Sequence, residues 1–183
     1  TETDPYIIET ARQLAYLIKH DVIDAVGSTY GKYYKLAADI YLNNIQDADW
    51  RTNNPNSWYE TASNQRFGGN FNGDGYTIYG LYYNGTKYAG LFPYIEMWFN
   101  DVTIENIVVS DAYLNTSADS IGTFAATLYG GNGHELAFKN CFVDDNVYVA
   151  STNTSASCIG GIIGYLKNVP TDKYTFIGCA SLA

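Results

Sequence analysis

The sequence predicts a mainly β protein, a right-handed parallel β-helix with a capping α-helix at its N-terminal end. Three observations carry this. Short apolar runs recur in two series that advance together along the chain. Turns rich in Asn, Ser, Thr, Gly and Asp separate them. A single amphipathic helix precedes them, which divides the chain into a helical cap over 1–32 and β-helix repeats over 33–183.

The helix has a marked start. Thr10-Ala-Arg-Gln13 fits a capping box, with Thr10 as N-cap and Gln13 three places on. Ala11, Leu14, Leu17, Ile18 and Val22 keep helical spacing. Lys19 and His20 fall near the C-terminal end, where positive charge is tolerated, and the helix is expected to stop before Gly27. A helix of roughly ten to twelve residues is marginal alone. It must dock its apolar stripe, and the open end of a solenoid is the surface in need of a cover.

Past Gly31 the helical period vanishes. Tyr33 to Leu42 reads as the first strand, and residues 43–66 as a long polar loop. The repeats follow. Ile78-Tyr-Gly-Leu81 matches Ile104-Glu-Asn-Ile107, Phe138-Lys-Asn-Cys141 and Phe176-Ile-Gly-Cys179, in steps of 26, 34 and 38 residues. Gly90-Leu-Phe-Pro-Tyr-Ile95 matches Thr123-Phe-Ala-Ala-Thr-Leu128 and Gly161-Ile-Ile-Gly-Tyr-Leu166, in steps of 33 and 38. A weaker pair joins Ala112-Tyr-Leu114 to Val147-Tyr-Val149. One repeat of three short strands cannot bury an apolar face by itself. Stacked at ~4.8 Å, the repeats share one core. Gly and Asn best tolerate a left-handed backbone, so Gly80, Asn106, Asn140 and Gly178 are expected in one stacked bend at positive φ, with Asn106 and Asn140 as ladder neighbours. Unequal repeat lengths would be absorbed by loops at 115–120, 130–136, 150–157 and 167–173. A β-sandwich also needs apolar runs between polar turns, but it does not need the same residue types to recur at a lagged interval.

Composition narrows the function. Charged residues are 16% of the chain, against roughly 25% in ordinary domains. The 18 Tyr and abundant turn residues suit an ordered β protein. A net charge of −9, with no basic patch around Lys32 or Lys35, argues against nucleic acid. No apolar run is long enough for a membrane helix. Thr1-Glu-Thr-Asp4 carries no export signal, which places any such signal upstream or already removed, and the last residues read as a fresh repeat at a fragment boundary. Cys141, Cys158 and Cys179 match no zinc spacing and read as small buried apolar residues, with a disulfide left open.

Tyr88-Ala-Gly-Leu-Phe-Pro-Tyr-Ile95 and Ile159-Gly-Gly-Ile-Ile-Gly-Tyr-Leu166 resemble the GLUG motif of bacterial extracellular repeat proteins. Phe71-Asn-Gly-Asp-Gly-Tyr-Thr-Ile78-Tyr-Gly-Leu81 is similar to the stretch that introduces the motif, and Tyr6 to Leu14 with Tyr34 to Ile40 to its lead-in. Pro93 replaces the last glycine of the first copy, and Thr123-Phe-Ala-Ala126 has lost both glycines. The resemblance implies a β-helical, adhesin-like part of a large secreted or wall-attached protein. It implies no active site, because the motif marks a structural coil.

β-helices also carry polysaccharide-degrading enzymes, whose chemistry needs two carboxyl groups at a defined separation. Asp144-Asp145, with Asp111 at the corresponding turn, is the best cluster, and reads more simply as turn residues capping strand ends. Gly133-His134 is followed by Glu135 and not by the glycine of a Gly-His-Gly site, and the three arginines, Arg12, Arg51 and Arg66, all lie within the first 66 residues. Asn72-Gly-Asp-Gly75 lacks the spacing of a calcium loop and reads as a turn. Gly130-Gly-Asn-Gly133 has no phosphate-loop lysine. No catalytic, metal or cofactor residue is therefore assigned.

Aromatics are the feature suited to recognition: Trp50, Trp58, Tyr82, Tyr83 and Trp98, with Tyr79, Tyr88 and Phe99 near them. They could equally line the core. The expectation is a non-catalytic secreted or cell-surface module that binds a glycan or a host or bacterial surface protein. A stalk or spacer is the structural alternative, and a polysaccharide-degrading enzyme the third.

Overall fold

Parallel strands wind the chain into a β-solenoid of about four turns. The computed structural model describes residues 1–59, 65–155, 158–167, 171 and 173–183. Parts of the loops expected at 43–66, 150–157 and 167–173 lie outside those residues.

The stack opens with β1 (Tyr6–Ile8), α1 (Ala11–Tyr16), β2 (Tyr33–Leu36) and β3 (Ile40–Tyr41). The next coil holds β4 (Asn70–Asn72), β5 (Thr77–Tyr79), β6 (Tyr82–Gly85) and β7 (Tyr94–Glu96). Below it run β8 (Val102–Ser110), β9 (Tyr113–Thr116), β10 (Ser120–Gly122) and β11 (Ala125–Tyr129). Then come β12 (Glu135–Val143), β13 (Tyr148–Ser151), β14 (Cys158–Gly160) and β15 (Ile163–Lys167). β16 (Lys173–Ile177) and β17 (Ala180–Ser181) begin again. One sheet follows the order β1-β2-β4-β8-β12-β16. The others are β6-β9-β13, β7-β11-β15 and β10-β14.

The second repeat series is in register residue for residue. Tyr94 lies on Thr127 and Tyr165, and Ile95 on Leu128 and Leu166. The weaker pair also holds, and gains a member above it: Tyr82, Tyr113 and Tyr148 form one file.

The first series holds for three of its four copies. Ile104, Phe138 and Phe176 are paired in file. Asn106, Asn140 and Gly178 have φ of 54°, 52° and 63°. Asn140 Nδ2 donates to Asn106 Oδ1 at 3.0 Å, and Asn106 Nδ2 to Asn72 Oδ1 at 3.3 Å. A Cβ on Gly178 would fall 2.6 Å from Asn140 Oδ1, so the ladder ends on a residue without a side chain.

Gly80 belongs elsewhere. Its coil partner is Asp111, in a second bend where φ is 72° and 49°, and the Gly80 N–H donates to the Ser110 carbonyl at 3.2 Å. An insertion causes the shift. Asn72 faces Glu105 and Thr77 faces Val108, so four residues stand where the next coil has Asn106 and Ile107. Asp74 and Gly75, both at positive φ, make a tight turn closed by Tyr76 N–H to the Gly73 carbonyl at 2.8 Å. Gly73 is required there, since a Cβ would sit 2.6 Å from Ile107 Cβ.

Inward residues fill the column. Phe71, Ile104 and Phe138 are buried, Phe67 stacks on Phe92 at 4.3 Å, and Phe138 on Phe176 at 5.4 Å. Tyr33 to Leu42 is two strands, not one, because the coil turns a corner at 37–39. There Asp39 Oδ1 accepts the Thr77 N–H at 2.9 Å.

The capping box forms as predicted, with Gln13 N–H on Thr10 Oγ1 and Thr10 N–H on Gln13 Oε1. Past Tyr16 the helix widens into π turns over Leu17–Asp24, and Ala25 N–H reaches back five residues to His20. The apolar positions Leu14, Ile18 and Val22 are four apart, and a wider turn keeps them on one face. All three are buried against the column. β1, before the helix, pairs with β2 and was not anticipated.

Cys141 is buried and Cys179 half-buried, as expected of small apolar residues. Cys158 is exposed, because β14 pairs only with β10 among the described residues.

Asn140→Val forces a β-branched residue into the left-handed region and removes a ladder bond. Urea unfolding should show a loss of about 1–3 kcal/mol, with a smaller loss for Asn140→Gly, which keeps the backbone. Equal stability for Val and Asn would contradict the bend.

Candidate functional site

The coil register decides which aromatics are open. Trp58 is buried, and its Nε1–H donates to the Leu91 carbonyl at 3.1 Å. Tyr83 is buried, and its hydroxyl accepts the Lys87 N–H at 2.9 Å. Trp50 is buried edge-on to Tyr82 at 6.3 Å, under the Arg51 guanidinium at 5.3 Å. Three of the five aromatics singled out in the sequence are thus structural in this fold. The polar loop that carries Trp50 and Trp58 is pinned inward by Asn43, which donates to the Gly80 carbonyl at 2.7 Å and accepts the Asn56 N–H at 2.7 Å.

Tyr82 is half-buried at the top of a tyrosine file. Its ring stacks on Tyr113 at 5.4 Å, and Tyr113 on Tyr148 at 5.0 Å. Tyr113 is thereby stacked on both sides, and Tyr148, at the other end of the file, is 49% exposed.

Trp98 differs. It follows β7 and is 40% exposed, and Phe99 beside it is 64% exposed. With Arg66, Glu96, Tyr129 and Lys167 they line a shallow hollow of about 370 Å³. The solenoid assembles it, because Glu96, Tyr129 and Lys167 are paired in file on β7, β11 and β15. Lys167 Nζ lies 4.9 Å from the Tyr129 ring centre, and the Arg66 guanidinium 4.0 Å from it. Glu96 is buried, and its two oxygens are engaged by Arg66 and by the Tyr30 hydroxyl. Burial pushes the Tyr30 hydroxyl pKa up, and the Glu96 bond and charge add to this against the opposing Arg66. Phe99 packs on Tyr30 at 4.9 Å. Gly131 leaves room for the Trp98 ring, and Asn132 Nδ2 donates to the Trp98 carbonyl at 3.1 Å. Of the aromatics named from the sequence, Trp98 and its neighbour Phe99 line this hollow. Tyr129 and Lys167 were findable by carrying the second repeat series one position past Leu128 and Leu166, the equivalents of Ile95. Arg66 gave no such signal.

A second depression, about 280 Å³, runs over the outer face of β2, β4 and β8 and includes Lys35, Asp101, Glu105 and Lys139. Glu105 accepts Asn72 Nδ2 at 2.8 Å. Asp101 accepts the Glu135 N–H at 2.9 Å and faces His134 Nδ1 at 3.0 Å. Those contacts, the backbone N–H foremost, hold its carboxyl below the usual carboxylate range. It therefore has no proton to give near neutral pH, which a glycosidase acid must do. Asp144 and Asp111 share the Ser110 hydroxyl, and Asp144 Oδ1 accepts the Asn146 N–H at 3.1 Å, as turn residues do. Asn72 Oδ1 likewise caps its own turn at the Asp74 N–H.

Fold and surface together define a parallel β-solenoid module with an aromatic, cation-flanked hollow beside Trp98. No family model matches the chain, so the GLUG resemblance rests on the residues quoted above. Among known proteins it is similar to halomucin of Haloquadratum walsbyi, 26% identical over 169 residues, which are 90% of this chain and 2% of halomucin. Among solved structures it is similar to a Bacteroides ovatus protein provisionally named an immunoglobulin A1 protease. The TM-score is 0.62 at 18% identity, over 99% of this chain and 57% of that one. That likeness shows the fold.

Trp58→Ala should cost about 3–5 kcal/mol in urea unfolding, and Trp98→Ala under about 1 kcal/mol. Similar losses for both would contradict the division into core and open aromatics. Asp101 has a folded pKa below its unfolded value. Its stabilisation is present above about pH 4 and is lost as pH falls through the folded value. Asp101→Asn should therefore flatten the loss of stability below about pH 4, followed by circular dichroism. An unchanged acid profile would contradict this.

Proposed function

We propose that this chain is a non-catalytic recognition module of a secreted or cell-surface protein, and that it binds its ligand at the hollow beside Trp98. One observation carries the reading: Trp98 and Phe99 stand exposed on a rigid coil, next to two cations held at the Tyr129 ring. Aromatic faces on a preorganised scaffold suit glycans and protein surfaces alike. Cations on an otherwise acidic chain favour a ligand that carries a carboxylate, such as an acidic glycan or an acidic side chain of a surface protein. The low charged fraction and the halomucin likeness support an extracellular place.

A stalk or spacer remains the second reading. The stacked tyrosine file Tyr82-Tyr113-Tyr148 favours it, since its rings hold coil to coil. Both readings are non-catalytic.

A glycan array of neutral and acidic sugars, followed by titration of each hit, tests the proposal. Binding should favour acidic members and weaken with salt. Trp98→Ala should reduce it about tenfold or more, the scale of a hot-spot aromatic. Hits untouched by Trp98→Ala and Phe99→Ala would move the site elsewhere. No ligand among acidic glycans or acidic peptides would favour the stalk.

A further inference from the structure

Cys141 and Cys179 hold equivalent places in consecutive coils. Lys139 pairs with Ile177 above them in sequence, and Phe142 pairs with Ala180 below. Two residues lie between on each strand, so Cys179 sits directly against Cys141. Neighbouring strands are about 4.8 Å apart, inside the roughly 4.4–6.8 Å range of Cα separations that a disulfide spans. Their thiols are also placed alike: Cys141 Sγ lies 3.4 Å from the Lys139 carbonyl and Cys179 Sγ 3.5 Å from the equivalent Ile177 carbonyl. Cys158 is in a different sheet, opposite Ser120, and is exposed.

β16 bonds only to β12 among the described residues, and Phe176 and Ile177 are 45% and 56% exposed. In a solenoid each coil is held by its nearest neighbours, and a covalent link between equivalent positions ties one coil to the next.

We propose that Cys141 and Cys179 are oxidised to an intramolecular disulfide that clamps β16 and β17 onto β12. The oxidant is an organic disulfide, a small molecule or a thiol–disulfide carrier protein. The Cys179 thiolate attacks one sulfur of that disulfide and releases a thiol, leaving a mixed disulfide on Cys179. The Cys141 thiolate then attacks the Cys179 sulfur and releases the second thiol. Two protons and two electrons leave the protein on the oxidant's two thiols. Cys179 enters first because it is half-buried. Burial pushes the Cys141 thiol up, with the neighbouring Cys179 adding to it, so Cys141 is the slower nucleophile.

The test uses the whole chain, folded and equilibrated with oxidised glutathione, then denatured, alkylated without reduction, digested and weighed. A Cys141–Cys179 linked peptide is expected, with Cys158 alkylated or glutathionylated. The same link should form in Cys158→Ser. Hydrogen exchange on native protein should then show β16 amides exchanging about tenfold slower or more in the oxidised form than in the reduced. Alkylation of both Cys141 and Cys179, or a link through Cys158, would overturn the pairing. A correct link with unchanged β16 exchange would overturn the clamp.

Discussion

In-register parallel stacking is the constraint from which the rest follows. Each coil finds its backbone partners only in the coil above and below, so a residue's neighbours are fixed by equivalence and not by closeness in sequence. Positions that must bend backwards therefore recur at one height after another. Asn106 and Asn140 bend at positive φ and donate in turn up the file to Asn72, which converts a strained backbone into a row of hydrogen bonds. The same rule stacks Phe138 on Phe176 inside the column and Tyr82 on Tyr113 and Tyr148 outside it.

The hollow is a product of that rule. Glu96, Tyr129 and Lys167 are remote in sequence and adjacent in space because the β7-β11-β15 register makes them so. An aromatic ring thereby meets a cation on a surface whose overall charge is negative. Glu96 is satisfied by Arg66 and Tyr30, so it fixes the floor and leaves Trp98 and Phe99 as the open groups. The distinction between aromatics that hold the coil and aromatics that face outward depends on which carbonyl lies within reach. Leu91 takes the Trp58 indole, while only the backbone of Trp98 is anchored, by Asn132.

Much of the fold was legible because stacking demands like above like. The second series survives residue for residue, even where Thr123-Phe-Ala-Ala126 has lost its glycines, since apolar size and not glycine sets the inner positions. Gly80 was misplaced because the turn at Asn72–Tyr76 adds two residues to one coil, and a repeat match cannot see an insertion that preserves the flanking pattern. The helix start was readable in Thr10 and Gln13, but its widening into π turns depends on the surface that it covers. Trp50 and Trp58 sit in a polar loop, which reads as exposed. Asn43 folds that loop inward through bonds to Gly80 and Asn56 that no local pattern announces.

Backbone proton contacts in solution measure the stacking most directly. Nuclear Overhauser contacts should join Ile104 to Phe138 and Phe138 to Phe176 across parallel strands. An antiparallel ladder between the strand ending at Tyr129 and the strand beginning at Glu135, closed through the Gly130–Gly133 turn as in a hairpin, would contradict the solenoid and every assignment built on it.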